Sequence, residues 1–143
     1  MNLREEMSYK LLHLKKFKDD RGVLTKIFTK SLINSNKIKD IEESYAITFD
    51  RKEIIRGEHF HKNTIEIFHV LQGECLFQLV HENEIKSLTL SNSSDQAIMI
   101  LPNVPHRIIS KIDNSIVIAI SSKEYNELSN DTFKFDFKKL NKM

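Results

Sequence analysis

Apolar runs of about five to eight residues, alternating hydrophobic with polar and broken by clusters of Asp, Asn, Gly, Ser and Pro, recur along nearly the whole chain. Successive side chains of a strand point to opposite faces, so this rhythm marks strands with one face buried. The runs fall at 9–16, 23–29, 43–49, 56–61, 65–71, 74–81, 84–90, 97–101, 106–110 and 115–121, and "DDRG", "QG", "EN", "SNSS", "PNVP" and "DN" supply the turns between them. Helical spacing is weak: residues 30–41 read as loop with one turn of helix, and 122–130 as a short helix capped by Ser121 or Ser122. The alternation in "FKFDFKKL" (133–140) predicts one more strand, suited to a dimer edge, and Gly22, Gly57 and Gly73 are expected at strand boundaries. A set of short antiparallel strands must hide its edges, and a double-sheet jelly roll does so while leaving a cavity between the sheets. With 143 residues there is material for one core, so the expectation is an all-β jelly roll, a single domain over residues 1–143.

Composition removes several classes of function. The 22 basic and 20 acidic side chains leave a formal charge of +2, and the lysines are interleaved with acids, so there is no stripe for nucleic acid. No window approaches the eighteen or so apolar residues of a membrane span, and "MNLREEMSYK" has no secretory core. Cys75 stands alone and cannot form an internal disulfide, which suits a cytoplasmic protein.

The chemistry concentrates in "RGEHFHKNTIEIFHVLQG", residues 56–73. His59 and His61 are two apart in a strand and share a face, and the neighbouring Arg-Gly turn and apolar strand favour the inward one. Glu66 lies on the next strand and His106 on a distant one, after "ILPNVP". Three imidazoles and a carboxylate would suit zinc, iron, copper or nickel. A cavity histidine can equally take and return a proton beside a carbonyl, because imidazole titrates near 6.5. For Glu66 two readings stand side by side, metal ligation and a buried carboxylate satisfied by Arg56 or a histidine.

The spacing HxH, four residues, Glu, six residues, Gly resembles the first cupin motif, and the Pro-containing turn before His106 resembles the second. More specifically, "DDRGVL" (19–24), "ESYAITF" (43–49), "IRGEHFHK" (55–62), "LQGEC" (71–75), "ILPNVPHRI" (100–108) and "SSKEYNE" (121–127) are similar, in order and spacing, to the nucleotide-sugar 3,4-ketoisomerases of the cupin superfamily. That resemblance implies a cupin double-stranded β-helix and a homodimer with no cofactor. It further implies conversion of dTDP-4-keto-6-deoxyglucose to its 3-keto isomer, on the way to amino-deoxysugars of surface polysaccharides. It makes His61 the main base, His59 the group that polarises the carbonyl (the roles being exchangeable), and Tyr45 a polar neighbour. Arg21 and Arg56 become contacts to diphosphate or sugar, with Glu66 and His106 also at the substrate. Glu66 stands where that family has glutamine, and Ala46 where it has a second tyrosine. Two rivals remain, a 3,5-epimerase and a metal-dependent cupin of another class that uses His59, His61, Glu66 and His106.

Plainer roles are expected elsewhere. His69 reads as core or surface, His13 and His81 as exposed, Cys75 as a small core residue, and Phe133, Phe135 and Phe137 as packing.

Overall fold

Alternation becomes burial directly in the strand Glu74–His81, where Cys75, Phe77 and Leu79 are buried and the residues between them are half-buried. The computed structural model describes residues 7–141. Its strands are β1 (Tyr9–His13), β2 (Lys15–Asp19), β3 (Gly22–Lys26), β4 (Glu43–Phe49), β5 (Ile55–His61), β6 (Glu66–Gln72), β7 (Glu74–His81), β8 (Glu84–Ser91), β9 (Gln96–Ile100), β10 (His106–Ser110), β11 (Ser115–Ser121) and β12 (Thr132–Lys134). Two short helices, α1 (Lys30–Ser35) and α2 (Phe137–Asn141), and a 3-10 turn at Glu127–Ser129 complete the set. No helix among the described residues is long and apolar enough to cross a membrane.

The strands form two five-stranded antiparallel sheets, β1-β9-β6-β11-β4 and β12-β5-β10-β7-β8, beside a separate β2–β3 hairpin. Phe68, Val70, Ile98, Val117 and Ala119 of the first sheet meet Cys75, Phe77, Leu79, Leu90 and Ile108 of the second in one core. The all-β jelly roll read from the sequence is what the chain adopts.

Strand β6 departs from simple alternation: Glu66 to Val70 are all buried. It lies third of five in its sheet, and its outer face is covered as well. Ile67 packs there with Leu12, Leu14, Ile38 and Met99, and Leu32 and Ile33 of α1 close over them. The polar-looking 30–41 segment thus spends its few apolar residues on this cover, starting at Thr29, whose hydroxyl accepts the Leu32 N–H. His69 is buried on β6 and its Nδ1 lies 3.0 Å from the Gln96 carbonyl.

Several local expectations are corrected. The run 9–16 is two strands, because Leu14 turns inward and hydrogen-bonds through its N–H to the Asp95 carbonyl at 2.7 Å, ending β1. Ser121 closes β11 instead of capping a helix, and the 3-10 turn begins at Asn126, whose side chain accepts the Leu128 N–H. The Phe-rich tail is strand only at Thr132–Lys134; Asp136 then accepts the Lys138 N–H at 2.9 Å and starts α2. Phe133 stacks on Phe60 and Phe137 is fully buried beneath the Arg107 guanidinium, so the tail packs on the barrel. His81 is half-buried, bonded to Ser8.

Gly57 lies inside β5, not at its edge, at a shift of register where His59 pairs with His106 but Gly57 pairs with Arg107. The extra residue, Glu58, makes a β-bulge with φ of +101° at Gly57 and +60° at Glu58. A Cβ on Gly57 would meet the His106 carbonyl oxygen at 3.0 Å and the Arg107 Cα at 3.1 Å. Gly57→Ala is therefore expected to lower stability by about 1–3 kcal/mol, read as a lower urea midpoint; an unchanged midpoint would show that this bulge tolerates a side chain.

Candidate functional site

Four strands from both sheets deliver the site: β4 brings Tyr45, β5 brings Arg56, His59 and His61, β6 brings Glu66 and β10 brings His106. Past the bulge, β5 turns both histidines to one side with ring centroids 4.7 Å apart, and the His106 ring stands 4.9 Å from His59 and 5.6 Å from His61. Glu66, only 5% exposed, lies at the centre. Its Oε1 accepts from His61 Nε2 at 2.8 Å, and its Oε2 accepts from the Tyr45 hydroxyl. His106 Nε2 lies 3.3 Å from the same Oε1 without forming a hydrogen bond, while its Nδ1–H donates to the Val104 carbonyl at 3.0 Å. Glu66 is thus satisfied by histidine and tyrosine, not by Arg56.

The two β5 histidines occupy different electrostatic positions. His61 has both nitrogens engaged, Nε2 with Glu66 and Nδ1 with the Thr132 hydroxyl at 3.3 Å. Burial works against its charged form, but the hydrogen bond and charge of Glu66, with Asp131 beyond, outweigh burial and raise its pKa. No hydrogen bond among the described residues ties the His59 ring. Burial first, and then the charges of His106 and His61, push it down to about 4. On Glu66, burial is outweighed by the His61 hydrogen bond and the two close imidazoles, so its carboxyl stays below the usual range; burial and the Glu66 charge push the Tyr45 hydroxyl up. The result is a hydrogen-bonded pair in which Glu66 favours the protonated form of His61, beside an imidazole, His59, that is held toward its neutral form with its ring nitrogens uncommitted.

Two cavities meet here. One of about 1280 Å³ runs from Tyr45, His59, His61 and Glu66 out to a strap formed by residues 121–133, and a second of about 400 Å³ opens between Thr48, Gly57, Phe68 and Ile108; Tyr45, Arg56 and His59 line both. Arg21 is not brought here. It stands exposed at the β2–β3 turn, where the Asp19 carboxylate holds its guanidinium at 2.6 Å. Cys75 is buried and its thiol pushed up to about 11, chiefly by burial, which suits a core residue and not a nucleophile.

The donor atoms of His59, His61, Glu66 and His106 all lie within 4.8 Å of one another. Three imidazoles and a carboxylate at that spacing, one nitrogen of them buried without a hydrogen bond, fit a divalent ion such as zinc or iron.

Sequence reasoning missed Asp131 and Thr132. They sit on the strap some seventy residues from His61, and only the pairing of β12 with β5, Thr132 opposite His61, brings them in. No local spacing in the sequence announces that pairing.

The family model of FdtA, described as WxcM-like, C-terminal, matches residues 7–140. No curated protein matches the chain. Among solved structures, QdtA, a sugar 3,4-ketoisomerase from Thermoanaerobacterium thermosaccharolyticum in complex with TDP, is 26% identical with a TM-score of 0.77, over 93% of this chain and 91% of that one. A 3,4-ketoisomerase from Helicobacter canadensis is 22% identical with a TM-score of 0.76, over 96% and 97%. A dTDP-6-deoxy-D-glucose-3,5-epimerase from Legionella pneumophila in complex with dTDP-4-keto-L-rhamnose is 15% identical with a TM-score of 0.80, over 91% and 73%. The backbone is therefore shared by both kinds of enzyme.

A pH dependence follows from His59. Its folded pKa lies below the unfolded value of about 6.5, so the unfolded chain binds the proton more readily, and stability falls as pH drops from about 6.5 toward 4. His61 has the opposite sign: its raised pKa adds stability that is full below 6.5 and lost as pH rises through the folded value. In urea titrations across pH 4 to 6.5, His59→Asn is expected to flatten the acid loss; a slope equal to wild type would mean that His59 is not desolvated.

Proposed function

Because the chain belongs to the FdtA family, WxcM-like, C-terminal, we propose that it is a sugar-nucleotide 3,4-ketoisomerase acting on dTDP-4-keto-6-deoxyglucose. The observation that carries this reading is the pairing of an unengaged imidazole, His59, held toward its neutral form, with the hydrogen-bonded His61–Glu66 pair at the wall of a cavity large enough for a hexose.

The reaction needs a base that takes the proton from C3, stabilisation of the resulting enediolate, and return of a proton at C4 while the O3 proton passes to O4. Atoms and electrons balance with no added reactant. Hydrogen bonding favours the exchanged assignment of the two histidines. His59 has a nitrogen lone pair to offer at neutral pH, whereas both His61 nitrogens are engaged. The positive His61 then acts by its charge on the enediolate oxygen, in a pocket where burial strengthens that attraction. Tyr45 and Glu66 fix the His61 ring and proton. Arg56, which lines both cavities, suits the diphosphate because its fork matches phosphate oxygens. The exposed apolar pair Phe17 and Leu24 on the β2–β3 hairpin, 57% and 58% exposed, supports a homodimer, and Arg21 at the hairpin tip would reach a site only across such a contact.

Incubation with the 4-keto sugar nucleotide in heavy water is expected to yield the 3-keto product with deuterium at the carbon that receives the returning proton. His59→Asn should lower kcat by about 10³-fold and His61→Asn by about 10²-fold. Deuterium at C5 with the ketone unmoved would point instead to a 3,5-epimerase, and an incubation that gives neither exchange nor a 3-keto product would end the proposal.

A metal-dependent reading is favoured by one observation, the buried His106 Nε2 without a hydrogen bond inside a four-donor cluster. A bound ion there would supply Lewis-acid chemistry, held by His59, His61, Glu66 and His106. Stoichiometric metal in protein purified without chelator, lost on Glu66→Gln, is the result expected on this reading; turnover that survives exhaustive chelation counts against it.

A further inference from the structure

We propose that Asp131 is a positioning residue for His61, the latch by which the strap of residues 121–133 fixes the end of β5. Its carboxylate receives the turn that follows His61 from several sides. The Lys62 N–H donates to Oδ1 at 3.0 Å, the Asn63 N–H to Oδ2 at 2.8 Å and the Thr64 hydroxyl to Oδ2 at 2.7 Å, with the Asn63 side-chain amide at 3.4 Å from Oδ1. The next residue, Thr132, puts its hydroxyl 3.3 Å from His61 Nδ1. The strap is pinned on both sides of this point: Ser122 and Ile65 exchange hydrogen bonds at 2.9 Å, and the Phe135 N–H donates to the Glu58 carbonyl at 2.9 Å.

One acid thus gathers three consecutive residues that leave β5, 67 to 69 positions away in sequence. A surface carboxylate does not need so many donors; a turn that must hold its geometry does. With the turn fixed, His61 is clasped between Thr132 on one nitrogen and Glu66 on the other. Without it, the turn after His61 loses its shared acceptor, and only the β12–β5 pairing holds the Thr132 hydroxyl opposite the ring. Because misplacing a catalytic group by about 1 Å can cost 10²-fold in rate, the effect belongs in kcat more than in substrate affinity.

The turnover arm of the test rests on the ketoisomerase reading, and the spectroscopic arm does not. With the 4-keto sugar nucleotide, Asp131→Ala is expected to lower kcat by about 10- to 100-fold with KM within about threefold of wild type. Asp131→Asn, which keeps one acceptor oxygen for the turn, should recover part of the loss and serves in place of the alanine variant if that one does not fold. In ligand-free protein at fixed pH, the ring nitrogen shifts of His61 should move toward those of an imidazole with one free nitrogen, while those of His69 stay in place. Wild-type His61 shifts in both variants overturn the proposal whatever kcat does, and so does an unchanged kcat. Should the wild-type enzyme not turn over that sugar, the ketoisomerase reading falls alone, and the His61 shifts still decide the role of Asp131.

Discussion

A buried carboxylate is the constraint around which the site is arranged. Glu66 opens β6, a strand buried on both faces, and an ion taken out of water costs several kcal/mol unless its oxygens are matched. The matching groups are His61 from the facing sheet and Tyr45 from its own. One interaction thus ties the two sheets at the cavity floor and sets the ionisation of the groups around it. Burial lowers His59 first and the charges of His106 and His61 add to it, whereas at His61 the Glu66 hydrogen bond and charge outweigh burial, so the two imidazoles part in opposite directions.

The geometry around this pair comes from irregularity in otherwise regular strands. The Gly57–Glu58 bulge lets β5 shift register against β10 just before His59, so that the histidine pairs directly with His106. Beyond His61 the chain turns at once into the Asp131 cradle. His59 and His61 sit between a kink and a clamp, each secured by backbone hydrogen bonds, and little of their placement is left to loops.

Much of this was legible in the sequence because it depends on short-range patterns. Period-two alternation and turn residues gave the strands of both sheets nearly to the residue, and the i, i+2 relation of His59 and His61 required a shared face. What escaped depends on pairing over long distance or on competition at strand ends. Nothing local says that Leu14 turns inward and splits a run in two, or that Asp136 starts a helical turn where alternation continues. The engagement of His61 by Glu66 and Thr132, which distinguishes it from His59, is visible only once β6 and β12 lie against β5. Arg21 illustrates the same limit: a motif in the right order along the chain can still sit on a hairpin that stands apart from the cavity.

Because one wall of the cavity is drawn from residues 123–133, these leave the ribosome only after the strands they close upon, apart from β12 itself, have been made. The nascent barrel can bury most of its apolar side chains before that segment arrives, while His61 still lacks Thr132 and the turn after it still lacks Asp131. Packing and competence are thereby separated in time: the chain can be compact before its pocket has a finished rim.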